Sequence, residues 1–407
     1  MAGHPHKQHA AHAAATATAL LLLAGCAAAD PPVDPTVEEI RQTLDARADA
    51  LLGHDRAGYL ASLEPGDERL RAAQGEEFDN LADVPLRSWE YRITGVRRQG
   101  ASAVADAEVR YRIAGYDAAP VTASRTLELA ERGGHWYVTA DRAGAGTPQQ
   151  LWQQGEVDVV RGSRSIVLGV GQDAARLREL AAAADRAVPA VSDAWPSKWP
   201  GRVVVLVPAT TEEMGRLLGT PGAGYRGIAA VTTGETSRGA AAPADRVVVN
   251  PEAYGLLGTF GQGVVLTHEA THVATRAHTT AATPMWLSEG FADWVAYRGT
   301  GRTAAEAAPE MLEAVRAGDV PAGLPGDRDF TFGGDPDTVA RAYEGGRLAC
   351  EMIEERWGEE KLTAFYRTVG EGRHRDGAVE RALSEELGIT SAGFTAMWRD
   401  YLTEVLG

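Results

Sequence analysis

One pentapeptide limits what this chain can become more than any other stretch: His268-Glu269-Ala270-Thr271-His272. Val264, Val265 and Leu266 lead into it, Val273 and Ala274 follow, and neither Gly nor Pro intervenes, so the pattern predicts a buried helix. Residues i and i+4 of a helix share a face, which lets His268 and His272 grip one Zn2+. Glu269, one residue round the helix, can lean over the metal's open position.

The next segment supplies the rest of a site. Thr283-Pro284 predicts a helix start, with a capping hydroxyl and Pro at the first helical position. Leu287, Phe291, Trp294 and Val295 then repeat at helical spacing. Glu289 and Asp293 lie at i and i+4 on another face, turned back toward the histidines. A catalytic zinc takes three protein ligands and keeps one position open, which makes Glu289 the natural third ligand. Asp293 is placed to accept the second N–H of a zinc-bound histidine. Gly290 would let the two helices approach closely.

Trp286-Leu287-Ser288-Glu289-Gly290-Phe291-Ala292 resembles the third-ligand segment of gluzincin metallopeptidases, both the zinc aminopeptidase branch and the bacterial peptidase MA-like families. The resemblance implies zinc-dependent hydrolysis of peptide bonds, with a peptide or protein as substrate. Ala342-Tyr343-Glu344-Gly345-Gly346, expected to open a helix, is similar to the Tyr-Glu-Lys-Gly segment of zinc aminopeptidases. That likeness implies that Tyr343 points its hydroxyl at the developing oxyanion, with Tyr297 the next candidate. Gly345 stands where the family has Lys. Zinc aminopeptidases also hold the substrate's amino terminus with a glutamate on the sheet's edge strand. Gly227-Ile228-Ala229-Ala230 occupies that place here without an acidic residue, the nearest being Glu235, so strict aminopeptidase activity is not expected.

The net charge of −16, with no basic stripe, argues against a nucleic-acid partner. The apolar run from Ala13 to Ala24 fits a signal-peptide core and is too short to span a bilayer. It ends in Leu23-Ala24-Gly25-Cys26, which resembles the bacterial lipobox and implies a lipid on Cys26. The expected location is then the extracytoplasmic face of a bacterial cell membrane, held through an N-terminal lipid anchor. Ala27-Ala28-Ala29 offers the alternative of an ordinary cleavage site and a released protein. With Cys26 lipidated, Cys350 has no disulfide partner and is expected as a small buried hydrophobe.

The expected fold class is α+β with two domains. Residues 1–25 read as the lipoprotein signal, 26–36 as a stiff tether and 143–150 as a linker. Between them, 37–142 show helices, then strands: Ala105, Ala107, Val109, Tyr111 and Ile113 alternate with charged residues. The element order is similar to the cone-shaped nuclear transport factor 2-like fold. No convergent polar set is expected inside it, and His135 reads as a packed strand residue. Residues 151–407 read as the gluzincin domain, with a mixed-sheet upper lobe, including a fully buried Val203–Val207 strand, and a helical lower lobe. A different class also fits: a non-catalytic cell-envelope binding lipoprotein whose zincin domain is only a scaffold. Against it stands Glu269, which metal binding alone does not require.

Overall fold

Four strands that bury alternate residues build the N-terminal unit of the molecule. The structure, a computed structural model, describes residues 35–234, 242–331, 334–372 and 374–407. Cys26 and Glu235 lie outside the described residues. The chain enters through α1 (Pro35–Leu52), α2 (Arg56–Ala61) and α3 (Glu68–Asn80). Asp55 and Asp67 cap the second and third of these by accepting the Gly58 and Leu70 amides. Then follow β1 (Leu86–Gln99), β2 (Ser102–Ile113), β3 (Val121–Arg132) and β4 (His135–Ala143), an antiparallel meander in sequence order. In β2, Ala103, Ala105, Ala107, Val109, Tyr111 and Ile113 are all buried, so the period-2 pattern holds over the whole strand.

Two expectations for this unit are corrected. His135 is exposed at the start of β4, because the preceding Gly133-Gly134 turn carries it beyond the packed part of the sheet. The interior does hold a convergent polar set. Arg47, fully buried, donates to the hydroxyls of Tyr91 (3.2 Å), Tyr59 (2.6 Å) and Ser62 (3.0 Å) and to the Gln74 side chain. Asp141 lies 3.8 Å from it and also pairs with Arg125 at 2.7 Å. Each guanidinium N–H donor set therefore meets acceptors, which a buried arginine requires.

The second sheet is assembled from β5 (Val157–Arg161), β6 (Ser165–Val170), β7 (Val203–Val207), β8 (Ala230–Thr233) and β9 (Arg246–Val249), in the order β5-β6-β7-β9-β8. The central three run parallel, and the two edges run antiparallel to their neighbours. Both faces are covered, which explains the unbroken apolar runs. Val167, Val203, Val205, Val207, Val247 and Val249 share one core with α4 (Ala174–Ala194) and the helices that follow. Ile166, Leu168, Val170 and Val204 turn the other way and belong to the core of the N-terminal sheet. The two units are thus packed through the second sheet. Asp117, buried in the turn after β2, pins this contact by accepting from both terminal nitrogens of Arg246 at 2.9 Å.

After the sheet come α5 (Thr211–Leu218), placed between β7 and β8, and then α6 (Pro251–Gly255), α7 (Thr259–Thr275) and α8 (Met285–Tyr297). The lower lobe is helical: α9 (Ala304–Ala307), α10 (Pro309–Arg316), α11 (Pro336–Trp357), α12 (Glu359–Gly370), α13 (Ala378–Ala382) and α14 (Ser391–Leu406). Cys350 is free and buried in α11. Among the described residues no helix is long and apolar enough to cross a membrane. The architecture is α+β, with a four-stranded sheet and its helices, a mixed five-stranded sheet, and a helical lobe.

Candidate metal centre

Helix α7 is held by its own hydroxyls as well as by its neighbours. Thr267, Thr271 and Thr275 each donate to the carbonyl four residues back, at 2.9, 2.8 and 3.0 Å, so these polar groups enter the interior satisfied. Leu266, Ala270, Val273 and Ala274 fill the apolar side. The opposite side presents His268 and His272 to a cleft of about 430 Å³ under the edge strand β8.

Helix α8 brings Glu289 and Asp293 to the same cleft. Its start differs from expectation. Pro284 is the cap residue, and the Thr283 hydroxyl instead accepts the Thr280 amide at 3.1 Å. Asp327, distant in sequence, accepts the Met285 amide at 3.0 Å and so satisfies the helix end from outside. No local pattern announces that partner.

The side chains converge tightly. His268 Nε2 lies 3.0 Å from His272 Nε2 and 3.2 Å from Glu289 Oε2, and His272 Nε2 lies 3.4 Å from the same oxygen. Among the described residues, His268, His272 and Glu289 form a group able to hold a metal ion. Four-coordinate zinc with bonds of about 2.0–2.1 Å sets neighbouring donors roughly 3.3–3.4 Å apart, so both the spacing and the N, N, O donor set fit zinc. Asp293 Oδ1 sits 2.7 Å from His268 Nδ1. That contact assigns the Nδ1 proton to the carboxylate side and leaves Nε2 facing the group.

Charge follows the same geometry. Burial opposes a proton on His268, but Asp293 and then Glu289 outweigh it and hold the imidazole well above its ordinary range. Burial would raise Glu289, yet His272 and His268 hold its carboxyl far below the usual range. Glu269 is buried beside them, and the Thr232 hydroxyl of β8 donates to its Oε2 at 2.6 Å and to its backbone oxygen at 3.1 Å. Nothing in the local sequence singles out Thr232, because its partner is reached only through the sheet.

Tyr343 lines the cleft with its ring 6.2 Å from that of His268 and 5.1 Å from Phe330. Burial, then the negative charges of Glu289, Asp293 and Glu269, push its phenol far up, so it stays a proton donor. The helix that carries it begins at Pro336, so Tyr343 sits well inside α11 and does not open it. The adjacent Glu344 turns elsewhere: it accepts the Met311 amide at 2.6 Å, and burial, with Glu310 nearby, pushes its carboxyl up to about 8. Tyr297 is half-buried at the end of α8, against Phe260 at 6.1 Å, and does not line the cleft.

The glycines also act differently from expectation. Gly290 faces Gly346 of α11, not the histidine helix, and a side chain at Gly290 would overlap the Gly346 backbone. A Cβ at Gly346 would lie 2.6 Å from the Trp286 carbonyl oxygen. Gly345 is packed beneath Trp398, whose indole donates to its carbonyl at 3.2 Å. These glycines fix a close crossing of α8 and α11. Gly290→Ala is therefore expected to cost about 1–3 kcal/mol through overpacking and to lower Tm by roughly 3–10 °C in a scanning calorimeter. An unchanged Tm would show slack in the crossing.

No protein-family model matches this chain, and no curated protein matches it. Among solved structures it is similar to an M1 zinc metallopeptidase from Deinococcus radiodurans, at 14% identity and a TM-score of 0.32 over 74% of this chain and 61% of that one. A mutant of that enzyme bound to a Tyr-Ser-Ala substrate gives 13% identity and a TM-score of 0.32, covering 75% and 62%. An NTF2-like design gives 14% identity and a TM-score of 0.21 over 27% of this chain and 96% of its own. The chain thus spans 61% of the length of the metallopeptidase it resembles.

Proposed function

We propose that this chain is a zinc-dependent peptidase of gluzincin type, with Zn2+ held by His268, His272 and Glu289. The observation that carries the proposal is the convergence of three ligand atoms, within 4.8 Å of one another, in a cleft that also contains the Glu269 carboxylate. When bound, zinc would supply the Lewis acidity that makes water a nucleophile near neutral pH. Glu269 acts as general base: its carboxylate accepts the proton of the attacking water and passes it to the leaving amine. Thr232 fixes the rotamer of that carboxylate from the strand above. Asp293 holds the His268 ring in register.

Among the described residues edge strand β8 has no partner on one side, which suits an extended peptide laid antiparallel along it. The lipid anchor at Cys26, holding the enzyme at the extracytoplasmic face of a bacterial membrane, belongs to the same proposal and rests on sequence alone. The reading is tested by digesting a peptide library with the purified protein, with and without a zinc chelator. Chelator-sensitive cleavage supports it, and cleavage of nothing sinks it.

Tyr343 is assigned as the donor to the developing oxyanion, a role its persistently protonated phenol permits. Tyr343→Phe is expected to lower kcat about 10²–10³-fold with little change in KM. A kcat within threefold of wild type, measured on one cleaved peptide, would reduce Tyr343 to a packing residue.

A further inference from the structure

Beyond the metal ligands, the base and Asp293, the cleft holds one more charged group. Among the described residues that line it, Arg276 is the one arginine or lysine. It lies four residues after His272, as the cap residue just past the end of α7, about 6 Å farther along the helix axis. Asp245, buried just before β9, accepts from Arg276 Nε at 2.9 Å. That bond uses one of five guanidinium N–H donors and orients the rest. The terminal nitrogens make no other hydrogen bond among the described residues, and the side chain remains 37% exposed.

The pair is closely packed, with Arg276 lining the cleft and Asp245 buried behind it. Gly234, at the end of β8, passes so close that a Cβ there would overlap the Asp245 carboxylate and lie 3.1 Å from Arg276 Nε. Glu269, Glu289 and Asp293 line the cleft with this one cation, which stands about one helical turn beyond His272. The described part of the edge, Ala229 to Thr233, carries no acidic side chain that could receive an ammonium group. Among the described residues of this edge an ammonium group finds no partner, whereas Arg276 offers one to a carboxylate.

We propose that Arg276, held by Asp245, is a carboxylate-binding subsite for the peptide lying on β8. The carboxylate is either an acidic side chain or a free C-terminus, within about two or three residues of the reacting bond at roughly 3.4 Å per extended residue. This rests on the peptide-binding reading of the cleft. Arginine suits the task because its planar fork matches a carboxylate with paired hydrogen bonds.

The test is fluorescence anisotropy on the zinc-loaded full chain carrying Glu269→Gln, so that turnover does not consume the probe. Labelled, otherwise identical hexapeptides are compared in three arms: a free C-terminal acid, its amide, and a series of amides with Asp replacing Asn at one position in turn. At least one carboxylate peptide is expected to bind about tenfold or more tightly than the neutral amide, the usual strength of a charge-assisted bond. Which arm wins identifies the carboxylate. The preference should fall within twofold in Arg276→Met, and also in Arg276→Gln, which keeps a donor for Asp245 should the Met variant fold poorly. Equal binding of acids and amide, a preference that survives both substitutions, or no binding of any peptide overturns the proposal. Cleavage by the native chain separates the two readings. If the acids bind through Arg276 but nothing is cleaved, the subsite stands and the peptidase assignment falls. If the peptides are cleaved without preference, the reverse holds.

Discussion

Replacing Glu269 by Gln is expected to lower kcat by about 10²–10⁴-fold while zinc content stays at the wild-type level. The carboxylate lies beside the three converging ligand atoms but is not one of them. Gln has nearly the same shape and can still accept the Thr232 hydroxyl through its amide oxygen, so fold and metal should survive. What it lacks is a basic oxygen for the proton of the attacking water. Turnover on one cleaved peptide, with zinc measured on the same sample, checks both halves. Near-normal turnover would remove Glu269 from the chemistry.

His272→Ala should act on the metal instead. It removes one of three ligand atoms while the remaining two, His268 Nε2 and Glu289 Oε2, stay 3.2 Å apart. Structural zinc sites bind with about 10–16 kcal/mol over four ligands, so one ligand corresponds to roughly 2.5–4 kcal/mol. Zinc affinity is then expected to fall by about 10²–10³-fold in a competitive chelator titration, with hydrolysis lost in step. An affinity equal to wild type would place the ion elsewhere.

Much of the site could be read from the chain because helical spacing does the placing. His268 with His272, and Glu289 with Asp293, are each i and i+4 pairs, and the structure brings all four into one cleft with Glu269. Arg276 continues the first series by four more residues and was open to the same arithmetic. Thr232 and Asp327 were not, because each meets its partner across tertiary packing with no fixed sequence interval. The glycines show a subtler limit. A small residue on a helix announces a close approach but does not say to what, and Gly290 turned out to face Gly346.

The N-terminal sheet followed from period-2 burial, while its polar interior did not. Ile40, Leu44, Arg47 and Leu51 recur at spacings of four, four-minus-one and four, and all are buried. That register places Arg47 on the apolar stripe of α1, a signal present in the sequence. Its partners Tyr59, Gln74, Tyr91 and Asp141 come from four different elements, which only the folded sheet assembles. The unbroken apolar strand β7 likewise implied two covered faces without naming the second cover, which is the N-terminal unit.

The central claim is that His268, His272 and Glu289 hold zinc beneath β8. Anomalous diffraction at the zinc edge, from crystals of the purified protein, tests it most directly. The expected result is one peak about 2.0–2.1 Å from His268 Nε2, His272 Nε2 and a Glu289 oxygen, with Glu269 outside bonding distance. A zinc-supplemented crystal with no peak among those three atoms, the side chains bonded only to one another, would contradict it.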